Sequence, residues 1–502
     1  MAWVAVFGMG CGEQRPPWWD PTSDPGDGEG GGASSITGDG SATCQSGAAL
    51  LCPEGCAWSL GTGSAADESR IRMGIDCENN VIVGGDFPVN VDFGGEELES
   101  SSNFGGVRDL YLAKLAADGT HLWSRSFGDE RNQLMGALAV DSQGAIFLGG
   151  SFEGQIDFGG ATLFSEAPAL YLAKLDADGE LMFARAFSME AKDVIGNRIR
   201  TMVVDDKNRV WIGGVTDGTT DFGDGMLTGS PENMVFIATF DTDGNHLWSR
   251  AFGSPGWGQV DRFSLDHSGN MLVTGAYAGP LDLGGGAPPE VPDSKFGTFV
   301  MKVDSEGGYV WHRFFASKTN VYAQFVAASD SMGNALLAGS ISGDVDLGGP
   351  TVGESFPGNG DLVLAKYDVA GNHVWSEIFS GSDPVTFGWA GASAIAVDKE
   401  DQIVVSGFVY GEVNLGGQVL TQVGSGKASD PFVIEVDPSG TVTKTKVFGG
   451  KGSAYPWEMR LDSAGTAVLA GTFKVEVDFG QGAIHGDGIN ESDDLFVASY
   501  PR

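Results

Sequence analysis

Residues 139–160 read AVDSQGAIFLGGSFEGQIDFGG, and the pattern inside them returns six more times along the chain. It ends in IDFGG at Ile156, with counterparts VDFGG from Val91, TDFGD from Thr220, LDLGG from Leu281, VDLGG from Val345, VNLGG from Val413 and VDFGQ from Val477. The second residue of each copy is Asp92, Asp157, Asp221, Asp282, Asp346, Asn414 or Asp478, at intervals of 61 to 68 residues. Sixteen residues earlier stands another acid: Asp76, Asp141, Asp205, Asp266, Asp330, Asp398 and Asp462. Seven residues earlier stands a glycine: Gly85, Gly150, Gly214, Gly275, Gly339, Gly407 and Gly471. No copy gains or loses a residue inside this block, so length variation is confined to loops outside it. A period of this size marks a repeat architecture whose units bury their apolar faces against one another.

Each block predicts a β-hairpin, because an alternating apolar run ends at the first acid and a second run begins about four residues later. The position three after the acid is Asn79, Gly144, Asn208, Gly269, Gly333, Asp401 or Gly465, residue types that tolerate positive φ. The acid is suited to an Asx-turn. The glycine before DFGG falls inside the second strand, where it predicts a bulge or a close backbone approach. DFGG itself sits where the chain leaves that strand: the Asp caps a turn, the Phe or Leu buries, and the first Gly frees the backbone. A kinase DFG would need a Gly-rich loop, a lysine strand and a catalytic loop around it. Sevenfold repetition instead argues for architecture.

A second hairpin follows each block, as in residues 109–128, DLYLAKLAADGTHLWSRSFG, with relatives starting at Ala169, Met234, Gly297, Asp361 and Asp430. Its aromatic recurs as Trp123, Phe183, Trp248, Trp311 and Trp375, with Lys444 in one copy. Each unit thus has four strands, a to d. The last copy ends in DDLFVASYPR, a strand c lacking its d, while CAWSLGTG at residues 56–63 is a d lacking its c. The two orphans complete each other and close the ring without an exposed sheet edge. The fold class is therefore all-β: a seven-bladed β-propeller of four antiparallel strands per blade, its last blade closed by an amino-terminal strand. The expected blades are about 71–127, 135–187, 198–252, 260–315, 322–379, 391–448, and 456–500 plus 56–61, within a propeller domain at 44–502. AVDSQGAIFLGGSF and LYLAKLDADG resemble the bacterial seven-bladed β-propeller repeat family over residues 56–500. That resemblance implies an exported protein and assigns no reaction.

The composition agrees with this fold and narrows the partners. Gly accounts for 79 of 502 residues, which suits many tight turns, and 41% hydrophobic residues suffice for a large core. A formal charge of -38 repels nucleic acid and anionic lipid head groups. Cations, basic proteins and neutral sugars remain as partners.

An apolar run from Ala2 to Met9 ends in Gly10 before Cys11, and a Gly-rich acidic stretch follows. This resembles the end of a bacterial lipoprotein signal at 1–11, with Cys11 lipidated, and a flexible tether at 12–43. It places the protein outside the cytoplasm, on the bacterial outer membrane or cell surface, with the lipid as its membrane contact. The remaining Cys44, Cys52, Cys56 and Cys77 are even in number and clustered, which predicts two disulfides in an exported protein. The Cys52 and Cys56 pair has no nearby His, so no metal is expected, nor any cofactor.

The turns DADGE, DTDGN and DSEGG echo the start of a calcium loop, but each runs into a strand rather than the flanking helix an EF-hand requires. The six histidines are scattered and no Ser, His and Asp constellation stands out. In a propeller the b to c and d to a connections share one rim. Here they are long and variable while the a to b and c to d turns are short and regular, which identifies the working rim. It carries Trp257, Tyr322, Trp389, Tyr455 and Trp457 as ligand-binding candidates, aromatic faces suited to sugar rings or peptide side chains. The same aromatics would also serve as wedges between blades. The expected function is a monomeric, non-catalytic binding or scaffold module for a protein or carbohydrate ligand. The alternative is a hydrolase or lyase working at the channel mouth.

Overall fold

The computed structural model describes residues 57–63, 70–101, 106–189, 194, 198–216, 218–228, 234–252, 257–279, 281–286, 297–315, 323–341, 345–349, 360–381, 388–424, 428–486 and 493–502. Among them are seven four-stranded antiparallel sheets and no helix. Blade 2 shows the plan: Gln133–Val140, Ile146–Asp157, Thr162–Leu175 and Leu181–Ser188 pair in that order from the axis outward. The inner strands of the seven blades are Arg70–Ile75, Gln133–Val140, Arg198–Val204, Trp257–Leu265, Ala323–Ser329, Trp389–Val397 and Ala454–Leu461. Each inner strand touches the next, and the seventh touches the first. The molecule is a closed β-propeller.

Closure follows the expected route. Trp58–Thr62 pairs antiparallel with Asp494–Tyr500, from Trp58 opposite Ser499 to Thr62 opposite Leu495. The core lies between blades rather than within them. Phe158, Phe222 and Phe479 of the DFGG motifs meet Phe127, Phe187 and Phe448, which lie at or within one residue of the end of the outer strand of the preceding blade, at ring distances of 5.1, 5.2 and 5.1 Å. Fully burying one such side chain is worth about 1.5–3 kcal/mol, and the layer recurs around the ring.

The repeated residues do what their chemistry dictates. In all seven DFGG copies the Asp or Asn Oδ1 accepts the amide of the first Gly, at 2.7 to 3.0 Å. That Gly has φ between 76° and 125° in every copy, a region closed to most side chains. At the a to b turn the acid's Oδ1 accepts two amides, as Asp266 does from Ser268 at 2.8 Å and Asn270 at 2.9 Å. Three residues on, φ is positive in all seven copies, from 57° at Asn208 to 83° at Gly144.

The strand-b glycine marks a close approach: a Cβ on Gly407 would lie 1.9 Å from the Gly391 carbonyl oxygen, and one on Gly471 2.0 Å from that of Tyr455. The bulge that accompanies it falls on the opposite strand. Five inner strands slip register there, at Gly136, Arg200, Asp261, Ser393 and Trp457. The crowding carbonyl is that of the residue two before the slip, and the same approach at Gly339, where a Cβ would lie 2.0 Å from the Gln324 carbonyl oxygen without a slip, shows that the glycine answers the close approach itself.

The regular rim is tied from blade to blade. Lys302 of strand c, Gly297–Val303, bridges Asp266 at 2.7 Å and donates to the Gly333 carbonyl of the next blade at 2.9 Å. Lys114, Lys174 and Lys366 pair with Asp76, Asp141 and Asp330 in the same way. In blade 3 the lysine position is Thr239, and Arg209 reaches Asp205 instead; in blade 6 it is Glu435, and Arg502 supplies the cation to Asp398. The outer-strand aromatics lie on the turn glycine of the following blade: Trp58 on Gly119, Trp123 on Gly179, Trp248 on Gly307 and Trp311 on Gly371.

Candidate functional site

Two features stand out at the rim formed by the b to c and d to a connections and along the axis it opens on. The first is a group of rings on blades 6 and 7. Trp389 opens its inner strand with its ring centroid 5.2 Å from that of Phe408 and 6.4 Å from that of Tyr410. Phe408 lies 5.2 Å from Tyr455, and Tyr455 stacks on Trp457 at 5.6 Å and 22°. Trp389, Tyr455 and Trp457 are all half-buried. Trp457 occupies the bulge of its strand, donates from Nε1 to Thr472 Oγ1 at 3.0 Å, and packs on the apolar layer between blades 7 and 1. Trp389 and Tyr455, paired through their backbones, carry their rings against neighbouring rings.

The structure therefore joins three of the five expected aromatics, through Phe408 and Tyr410, which sequence reasoning passed over. Their signal was present in SGFVYGEV, where strand b carries rings that other copies replace with smaller residues. Trp257 opens the inner strand of blade 4, its backbone paired with Ala278, in the same register as Trp389 with Tyr410. Tyr322 lies outside the described residues.

The second feature lies on the axis. Arg262 of blade 4, 1% exposed, reaches Glu458 Oε1 of blade 7 at 3.4 Å, the Trp457 carbonyl at 3.2 Å and the Ser393 carbonyl of blade 6 at 3.4 Å. Blades 4, 6 and 7 are not all neighbours, so these contacts cross the channel. Arg460 meets Glu458 Oε2 at 3.0 Å, Arg72 donates from Nε to the Gly136 carbonyl of blade 2 at 2.8 Å, and Arg200 stands 3.9 Å from Asp261. Inner strands present a free edge to the channel, and arginines satisfy carbonyls that no further strand can pair.

Burial drives the electrostatics here. It lowers the Arg262 guanidinium to about 9 against the opposing pull of Glu458, lowers Arg460, and raises the Asp261 carboxyl despite Arg200 and Arg262 nearby. These residues were not singled out from sequence. The signal is charge inside strands expected to be buried, in RIRMGID, RIRTMVVD, VDRFSLD and WEMRLD, two to seven residues before the turn acid.

The c to d turns spend their acids on the turn itself. Asp241 accepts the Asp243 and Asn245 amides through Oδ1 and the Asn245 side chain through Oδ2. Cys77 is exposed in the first a to b turn, while Cys11, Cys44, Cys52 and Cys56 lie outside the described residues. Among the described residues no helix is long and apolar enough to cross a membrane.

No family model matches the chain, and no curated protein matches it. Solved structures similar to it are β-propellers. They include the Pan2 WD40 domain of Neurospora crassa, at 9% identity over 87% of this chain and 90% of that one, TM-score 0.43. YCF48 bound to D1 peptide is similar at 9% identity over 89% and 95%, TM-score 0.40. Sqt1 from Chaetomium thermophilum is similar at 11% identity over 89% and 99%, TM-score 0.40.

Proposed function

We propose that this chain is a non-catalytic binding or scaffold module of the bacterial seven-bladed propeller type, exported and lipid-anchored through Cys11. It holds a protein or carbohydrate ligand on the rim of b to c and d to a connections. The observation that carries this reading is the contrast between the rims. On one, all seven a to b turns share the same hydrogen bonds and a positive φ three residues after the acid, so the fold constrains the turn. On the other, the connections beyond the repeated DFGG turn vary in length and sequence, and the half-buried rings of Trp389 and Tyr455 are placed there at the start of inner strands. Rings that are rigid and partly exposed make contacts at low entropic cost. Glu458 argues against a hydrolase or lyase at the channel, since both of its oxygens are engaged by Arg262 and Arg460.

The first described strand starts at the regular rim, at Trp58, whose indole donates to the Ala117 carbonyl in the c to d turn of blade 1. The test is a screen of the purified chain against glycans and secreted proteins, repeated with the W389A/Y455A variant. Binding by the parent, lost in a variant that melts near the parent, is expected; a well-folded variant that binds as the parent does sinks the aromatic rim. For the anchor, incorporation of a palmitate analogue should disappear in C11A, and a parent that incorporates none refutes lipidation.

A further inference from the structure

The axis of the ring is loosely satisfied at its centre. Charge-assisted N–H···O bonds normally run about 2.7–2.9 Å, yet the three contacts of Arg262 are 3.2, 3.4 and 3.4 Å, and its buried Nε has no acceptor. A guanidinium with five donors, 1% exposed, is left with one long ion pair and two long carbonyl contacts. Its carboxylate partner is shared, because Glu458 also serves Arg460 at 3.0 Å. Arg72, Arg198, Arg200 and Arg460, also buried on inner strands, each have partners of their own, so the loosely held donor is that of Arg262.

A buried guanidinium held only by long contacts is costly, and a bound counter-ion removes the cost. We propose that the channel is an anion site, in which Arg262, with Arg460 beside it, takes a small oxyanion or a carboxylate group on the axis. Planar guanidinium donors suit either shape, carboxylate or phosphate, by paired N–H···O bonds. Glu458 competes with the anion for the same donors. The site is separate from the aromatic rim and does not depend on what that rim binds.

The competition supplies the test. The purified full chain is titrated calorimetrically with inorganic phosphate and with acetate, in chloride buffer at constant ionic strength. The parent is expected to bind at a single site, and E458Q, which frees the donors, to bind on the order of tenfold tighter, the scale of one buried charge pair. R262Q is expected to lose binding by at least about tenfold. A role for these residues in folding alone predicts no gain in anion affinity in E458Q, so that variant decides the matter even where R262Q does not fold. Preference for acetate assigns a carboxylate ligand; preference for phosphate assigns a free oxyanion. No saturable binding of either anion by both the parent and E458Q overturns the site, as does binding that E458Q leaves unchanged.

Discussion

Replacing Lys302 by Met should cost far more stability than its single ammonium suggests. The Lys302 Nζ lies 2.7 Å from Asp266 Oδ2, and their side chains are 3% and 2% exposed, so water cannot take over when the ammonium is removed. Asp266 is fixed as an acceptor in the turn: Oδ1 accepts the amides of Ser268 and Asn270, and Oδ2 the Asn270 side chain at 2.8 Å. Stripping one partner from a buried pair typically costs about 3–5 kcal/mol, a large part of the roughly 5–15 kcal/mol that holds a domain folded. Lys302 also donates to the Gly333 carbonyl, so the tie to blade 5 is lost with it.

The same pair sets an acid limit. Burial pushes the Asp266 carboxyl up, but hydrogen bonds from Lys302 and Asn270 outweigh it and hold the carboxyl below its usual value. A folded-state value below the unfolded one means that the contribution is complete above the unfolded pKa, about 3.9. It is lost as pH falls through the folded value. Urea unfolding followed by tryptophan fluorescence at neutral pH measures the loss directly. The double variant K302M/D266N, with neither charge present, should recover most of the stability, and the acid transition of the parent should be weakened in it. A K302M protein within about 1 kcal/mol of the parent, or a double variant whose losses simply add, would refute the reasoning.

Gly407→Ala should destabilise by about 1–3 kcal/mol or more, because its Cβ would meet the Gly391 carbonyl oxygen at 1.9 Å and backbone on both sides must give; thermal melting checks this. Deleting residues 44–62 removes the strand that covers Asp494–Tyr500, so the truncated chain should aggregate or lose cooperative unfolding, and one that melts like the parent would mean closure is dispensable. If Cys44, Cys52, Cys56 and Cys77 form two disulfides, thiol titration of the oxidised, denatured mature protein should find no thiol from these four. Several reactive thiols would overturn both the pairing and the export it supports.

Much of this architecture was legible along the chain because its causes are local. The acid at the a to b turn, the positive φ three residues later and the DFGG cap act within five residues, and each recurs seven times, so chemistry and repetition point to the same answer. Ring closure was also legible, since a strand without its partner at each end leaves one arrangement free of edges. The strand-b glycine was read as a bulge or a close backbone approach; the close approach is there, while the slip lies on the facing strand in five blades, because a one-residue slip can lie on either strand of a pair. What only the tertiary structure decided is what meets across the ring. Arg262 lies 131 residues from Ser393 and 196 from Glu458 in sequence, and nothing in a repeat period says which inner strands face each other over the channel. The same holds for Phe408 against Tyr455: each reads alone as an apolar strand position, and only the packing of blade 6 on blade 7 makes them neighbours. Local hydrogen bonds and backbone sterics are written in adjacent residues, whereas contacts between distant strands exist only once the ring has closed.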